Sequence, residues 1–178
     1  RTIGIGPRKN KTFKVECPTT YLSTISFQNG SVIRLTLSFD VIAHQRNHME
    51  LYGDKGSIIV PDPNMFGGSV YTCKKLGDPW KEHKTNKMPL GKINIRSQSS
   101  RANESSTNSN YRGAGLAEMA YSIQNKKINK CNGELSLHIL DIIQSMMKAC
   151  KTGKAQSIKT TCKKPQPFSL KEVRRILK

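Results

Sequence analysis

Acidic residues are scarce: twelve Asp and Glu stand against thirty Lys and Arg in 178 residues, a formal net charge of +18. That balance attracts polyanions without selecting among them. The basic residues are scattered, with loose clusters only at 8–11 (RKNK) and 171–178 (KEVRRILK). No zinc finger, helix-turn-helix or RNA-binding aromatic box accompanies them, so solvated lysines explain the charge better than a nucleic-acid partner. Aromatic residues are also few, 6% with a single Trp. Five cysteines (Cys17, Cys73, Cys131, Cys150, Cys162) are odd in number, far apart and never spaced C-x-x-C. Such a set builds neither a disulfide framework nor a zinc site, and reduced, cytoplasmic thiols fit it. No apolar run reaches transmembrane length, and no charged-apolar-small leader opens the chain. Beginning on Arg1 without Met, the chain reads as a fragment or a processed form.

What is present suffices for one globular unit over 1–178, since 35% hydrophobic residues allow a core of ordinary size. The lead-in 1–19 is punctuated by Gly4, Gly6-Pro7 and Pro18, with a short strand expected around Phe13-Lys14-Val15. Residues 21–27 and 31–41 then alternate, with Ile25, Phe27, Ile33, Leu35, Leu37 and Phe39 on one parity. A two-residue Asn29-Gly30 turn would put the two apolar sets on opposite faces. A three-residue loop, Gln28-Asn29-Gly30, pairs Ile25 with Ile33, aligns the sets and asks for a left-handed residue at Gly30.

The second hairpin folds about Gly53-Asp54-Lys55-Gly56, which sets Tyr52 opposite Ser57, Leu51 opposite Ile58 and Met49 opposite Val60. Leu51, Ile58, Met49 and Val60 are therefore expected to share one buried side. Further strands are expected at 69–75 and 80–84, and a last one at 156–161. Two helices follow the Ser/Asn/Arg-dominated excursion 91–113. The first carries Leu116, Met119, Ala120 and Ile123 at i, i+3, i+4, i+7, and the second, about 133–151, carries Leu135, Ile139, Ile142, Ile143, Met146 and Cys150. Gly153 ends the second helix, and the basic tail is a candidate third. The fold class is α+β: an open, largely antiparallel or mixed sheet of about five or six strands with two or three helices on one face.

Chemistry-bearing patterns are sparse. Gly113-Ala114-Gly115 opens a helix, but no strand precedes it and Glu118 holds the third glycine position, so a dinucleotide fingerprint is excluded. His138 lies one turn from Glu134 and Asp141, yet on the polar stripe, where a solvated ion cluster is the simpler reading. His44, His48 and Glu50 do not converge in or beside a strand, and no metal site is expected. The loop 62–68 (DPNMFGG), rigid and polar-tipped at a hairpin's end, is a place where function resides.

The ordered series RTIGIGP (1–7), VECPTTY (15–21), ISFQNGSV (25–32), LTLSFDV (35–41), MELYGDKGSIIVPDPNMFGG (49–68), YRGAGLAEMAYSI (111–123) and NGELSLHILDII (132–143) resembles the C-terminal half of Gfo/Idh/MocA-type oxidoreductases. The likeness is collinear over nearly the whole chain. It implies the C-terminal substrate-binding and oligomerisation part of a dehydrogenase that moves hydride between NAD or NADP and a sugar, polyol or related carbonyl compound. The Rossmann domain such enzymes carry is absent from this chain, as are the family's Glu-Lys-Pro segment and Asp-x-x-x-His pair, so no catalytic residue is carried over. The chain by itself is expected to be inactive and to need no cofactor. Within the intact enzyme, Asn64, Phe66 and Arg112 are expected near the substrate cleft. A different class of reading is a free-standing, non-catalytic domain that uses its basic surface on an acidic partner.

If helices cover the odd-parity side of the first hairpin, Leu22, Thr24, Val32, Arg34, Thr36 and Ser38 point away from them. That face is rich in small β-formers and carries one charge in a heavily charged chain, as an interface core does. The resemblance implies pairing through this open face, so a homo-oligomer is expected.

Overall fold

The computed structural model describes residues 3–5, 12–94 and 109–177. The basic cluster at 8–11 and most of the excursion, 95–108, lie outside the described residues. The architecture is α+β and open, with eight strands in three antiparallel sheets followed by three helices among the described residues. Two compact units divide the chain, Arg1–Arg46 and Asn47–Lys178.

In the first unit, β1 (Ile3–Ile5) pairs with β2 (Thr12–Lys14), so the punctuated lead-in is itself a small hairpin. Strands β3 (Thr20–Ser26) and β4 (Val32–Ser38) form the second ladder, with Ile25 opposite Ile33 and Tyr21 opposite Leu37. The turn is the three-residue one: Phe27 N–H donates to Ser31 O at 2.9 Å, Gly30 N–H donates to Phe27 O at 3.0 Å, and Gly30 has φ +85°. Parity thus selects the loop length, because a slip of one residue would exchange the faces. At the open end, Asp40 Oδ2 accepts from the hydroxyls of Thr19 and Thr20 at 2.6 Å each, tying the strand exits together.

The second unit holds the ladder β5-β6-β7-β8. Strands β5 (Met49–Gly53) and β6 (Gly56–Val60) pair in the register the Gly53-to-Gly56 turn dictates, with Met49 opposite Val60, Leu51 opposite Ile58 and Tyr52 opposite Ser57. Strand β7 (Ser69–Cys73) pairs with β6 and then with β8 (Lys81–Lys84), whose Lys81 and Lys84 blunt the outer edge against further pairing. The shared side of Met49, Leu51 and Ile58 is more open than expected, since all three are exposed.

Helix α1 (Ala114–Gln124) overturns the simplest reading of its periodicity. Its apolar stripe is uncovered, with Leu116 73% and Ile123 72% exposed, whereas Ala114, Glu118 and Ser122 are buried. That face packs on α3 (Leu170–Ile176), where Val173 is buried. Small side chains let the helices approach, and the carboxylate among them is satisfied: Glu118 accepts from the Ser122 hydroxyl at 3.0 Å and from the Lys130 backbone N–H at 3.1 and 3.2 Å.

Helix α2 (Gly133–Thr152) starts as its sequence requires, Asn132 Oδ1 accepting from Leu135 N–H, and stops at Gly153 with φ +66°. Residues 156–161 form no strand. Asp141 takes their backbone donors instead, Oδ2 accepting from Lys159 N–H at 2.8 Å, Thr160 N–H at 2.9 Å and the Thr160 hydroxyl at 3.0 Å, while His138 Nδ1 lies 3.1 Å from the same hydroxyl. The polar stripe of α2 is thus an anchor for the following segment, not a solvated cluster. The tail is helical, opened by a capping box between Ser169 and Glu172.

Candidate functional site

After β6 the chain enters Pro61-Asp62-Pro63, which cannot continue a ladder. Asp62 then organises a tight turn, its carboxylate accepting from Asn64 N–H at 2.9 Å and its carbonyl from Met65 N–H at 3.1 Å. His48 Nε2 lies 3.7 Å from the Asp62 carboxylate, bracing the turn from the start of β5. Gly67 and Gly68 follow at φ +76° and +92°, left-handed conformations that side chains resist. Space forbids a side chain as well, for a Cβ on Gly68 would come within 2.8 Å of Pro61 Cβ.

This turn meets the chain just ahead of α1. Ser109 N–H donates to Phe66 O at 3.1 Å in an isolated bridge, and the buried Ser109 hydroxyl donates to Gly91 O at 2.8 Å. The Asn94 side chain bonds the Asn110 backbone twice, Nδ2 donating to Asn110 O and Oδ1 accepting from Asn110 N–H, both at 2.8 Å, and Tyr111 OH donates to Lys92 O at 3.0 Å. The two feet of the excursion are therefore tied together beside the loop. Phe66 and Tyr111 meet edge to face with centroids 5.9 Å apart, and Arg112 Nη2 reaches Met65 Sδ at 3.8 Å.

Of the three residues singled out for the cleft, Phe66 and Arg112 are brought to one locality, and Asn64 lies in the same turn, exposed, its side-chain amide making no bond among the described residues. No carboxylate among the described residues pairs with Arg112. A guanidinium, an amide and an aromatic edge can hydrogen-bond hydroxyl or carbonyl oxygens and pack on a carbon framework, chemistry that suits a small polyhydroxylated molecule. Sequence reasoning missed Ser109, Tyr111 and the Asn94/Asn110 pair. They flank a stretch without periodicity, and the only signal was the polar, amide-rich ends of that stretch.

The other patterns resolve into structure. Glu50 accepts from Asn47 Nδ2 and Tyr52 OH, both at 2.7 Å, which hold its carboxyl below the usual range. No cluster of metal-ligating side chains occurs among the described residues. All five cysteines are free. No helix among the described residues is long and apolar enough to cross a membrane. The six residues of the open face, Leu22, Thr24, Val32, Arg34, Thr36 and Ser38, share one side of the β3-β4 ladder, as the pairing of Leu22 with Thr36 and Thr24 with Arg34 requires. Leu22 is 72% and Val32 59% exposed there.

No curated protein and no solved structure matches the chain. A family model described as the C-terminal alpha/beta domain of an oxidoreductase family, Gfo/Idh/MocA, matches residues 6–160. That range takes in the β3-β4 hairpin, the four-stranded ladder, the 62–68 loop with its Arg112 neighbourhood, and both long helices in order. The chain belongs to the Gfo/Idh/MocA oxidoreductase family, as its C-terminal α/β domain.

Proposed function

We propose that this chain is the substrate-binding and oligomerisation part of a cytoplasmic NAD(P)-dependent dehydrogenase acting on a sugar, polyol or related carbonyl compound. The observation that carries this reading is the convergence of the 62–68 turn with Phe66, Tyr111 and Arg112, where a guanidinium with no carboxylate partner among the described residues stands beside an aromatic pair. The reading assigns that locality recognition and positioning only. Binding energy collected on the remote parts of a substrate is what orients its reacting carbon toward a hydride donor held elsewhere.

The Gly113-Ala114-Gly115 motif does not fit the pyrophosphate of a nicotinamide dinucleotide. Gly113-Ala114-Gly115 follows a turn and not a strand, and the third glycine position is Glu118, buried and committed to Ser122 and Lys130. In this reading the cofactor is held by a separate nucleotide-binding domain, and no step is routed through it here.

Oligomerisation is assigned to the open face of β3-β4. Its exposed Leu22 and Val32 and its single charge, Arg34, support face-to-face packing of two copies across a two-fold axis. The functional reading is tested by nicotinamide-coupled turnover across a panel of sugars, polyols and their carbonyl counterparts, in the polypeptide that carries this domain beside a nucleotide-binding one. Turnover of at least one member supports it, and inactivity toward all of them, with both domains folded, refutes it.

A further inference from the structure

A second cleft lies away from the 62–68 loop, where the C-terminal end of α1 meets α3. Its cavity of about 90 Å³ is bounded by Tyr121, Lys127, Lys130, Phe168, Glu172 and Arg175, with Glu118 at its base. Phe168 and the whole of α3 lie beyond residue 160, outside the range that matches the family.

Both carboxylates of the cleft are already engaged. Glu118 accepts from the Ser122 hydroxyl and the Lys130 backbone, and Glu172 accepts from Ser169 N–H at 2.7 Å and from the Lys130 ammonium at 3.2 Å. Lys130 is further committed to Gln166 O at 3.0 Å and to the face of Phe168. Two cations are left without an acidic partner among the described residues, and they converge on one phenol. Lys127 Nζ sits 5.6 Å from the centre of the Tyr121 ring, and Arg175 Nη1 donates to Tyr121 OH at 3.4 Å.

Lys127 is aimed there by strained backbone. Lys126 has φ +52°, a conformation a residue with a Cβ adopts at a cost. It closes α1 by bonds from Lys126 N–H to Ile123 O and from Lys127 N–H to Ser122 O, which turn the chain back over Tyr121. Like charges held against one side chain, Lys127 at the ring and Arg175 at the hydroxyl, repel each other, and an anion between them relieves that repulsion. With its oxygen accepting from Arg175, the Tyr121 hydroxyl keeps its proton to donate. At about 90 Å³ the cavity has room for a small tetrahedral oxyanion.

We propose that Lys127, Arg175 and Tyr121 form a binding site for a phosphate-type oxyanion, either inorganic phosphate or the phosphate of a small monoester. The guanidinium supplies directional donors, Lys127 a point charge and Tyr121 a hydroxyl. The Lys130 ammonium, tied to Glu172, frames the site and does not contact the anion.

The test is calorimetric titration of the chain with inorganic phosphate and, separately, glycerol phosphate, in enough chloride to screen the general +18 field. Saturable one-site binding is expected, weakened roughly tenfold or more by Arg175→Gln and by Lys127→Gln, less by Arg175→Lys and Tyr121→Phe, and unchanged by Lys55→Gln in the β5-β6 turn, which does not line the cleft. Tighter binding of glycerol phosphate identifies a monoester as the ligand, and equal or weaker binding identifies free phosphate. Thermal unfolding of each variant checks the fold, and Tyr121→Phe keeps the ring that α1 and α3 share. Absence of saturable binding, or a loss in Lys55→Gln equal to that in Arg175→Gln, overturns the proposal.

Discussion

Phe66 and Tyr111 stand edge to face, their rings 5.9 Å apart and inclined at 74°, and this contact joins the turn after β6 to the start of α1. An aromatic pair in this geometry contributes about 0.5–1.5 kcal/mol beyond the area it buries. Phe66→Leu and Tyr111→Leu should each lower stability by ~1 kcal/mol, and the double variant should show a coupling of similar size in a mutant cycle. Denaturant unfolding of the four proteins measures it. Strict additivity would mean that the rings touch without holding the loop.

The β3-β4 turn places Gly30 at φ +85° with open space where a Cβ would project, so the objection to a side chain there is conformational and not steric. Gly30→Val should cost about 1–2 kcal/mol, whereas Gly30→Asn, which tolerates the left-handed region, should cost less. Equal losses from the two substitutions, read by chemical denaturation, would contradict the turn assignment.

Register was the most legible feature of the fold, because alternation has period two and only one loop length aligns Ile25 with Ile33 and Leu51 with Ile58. Coverage was not legible. Periodicity shows which face of α1 is apolar, yet the face that packs carries Ala114, Glu118 and Ser122, since small residues and a satisfied carboxylate allow α3 to approach closely. Residues 156–161 alternate as a strand does, but Asp141 takes the Lys159 and Thr160 amides that a neighbouring strand would need. At the candidate site, Asn64, Phe66 and Arg112 could be named from loop chemistry and family likeness. Their partners Ser109 and Tyr111 could not, because the contacts that matter span the aperiodic excursion.

Acid should loosen the packing of α3 before it disturbs the strands. Bonds from Ser169, backbone first, and then the Lys130 ammonium lower the Glu172 carboxyl from 4.5 to about 2. A depressed carboxyl contributes stability that is complete above its ordinary pKa and is lost as pH falls through the folded one, so the window runs from about 4.5 down to about 2. Asp141 is shifted the same way by the Thr160 and Lys159 amides. Hydrogen exchange should show α3 and residues 159–160 losing protection as pH falls through that window. Glu172→Gln should flatten the response of α3 alone, and unchanged acid sensitivity of α3 in that variant would remove Glu172 as its cause.

The open face of β3-β4 makes a separate demand. Thr36 pairs with Leu22 across the ladder and is exposed on that face, so a carboxylate placed there enters the centre of the proposed interface. Light scattering should give a dimer or larger assembly for the wild type at micromolar concentration and a shift toward monomer for Thr36→Glu, by at least tenfold in dissociation constant. A monomeric wild type, or an assembly indifferent to Thr36→Glu, would place the contact elsewhere.

The most direct test of the recognition site is the kinetics of Arg112→Gln in the two-domain polypeptide proposed above. If Arg112 holds the substrate beside Asn64 and Phe66, KM for the sugar-like substrate should rise and kcat/KM fall by roughly tenfold or more, from the loss of one charge-assisted hydrogen bond, while KM for the nicotinamide cofactor stays unchanged. An unaltered kcat/KM, or a loss shared equally with cofactor binding, would show that the 62–68 turn and Arg112 do not face the substrate.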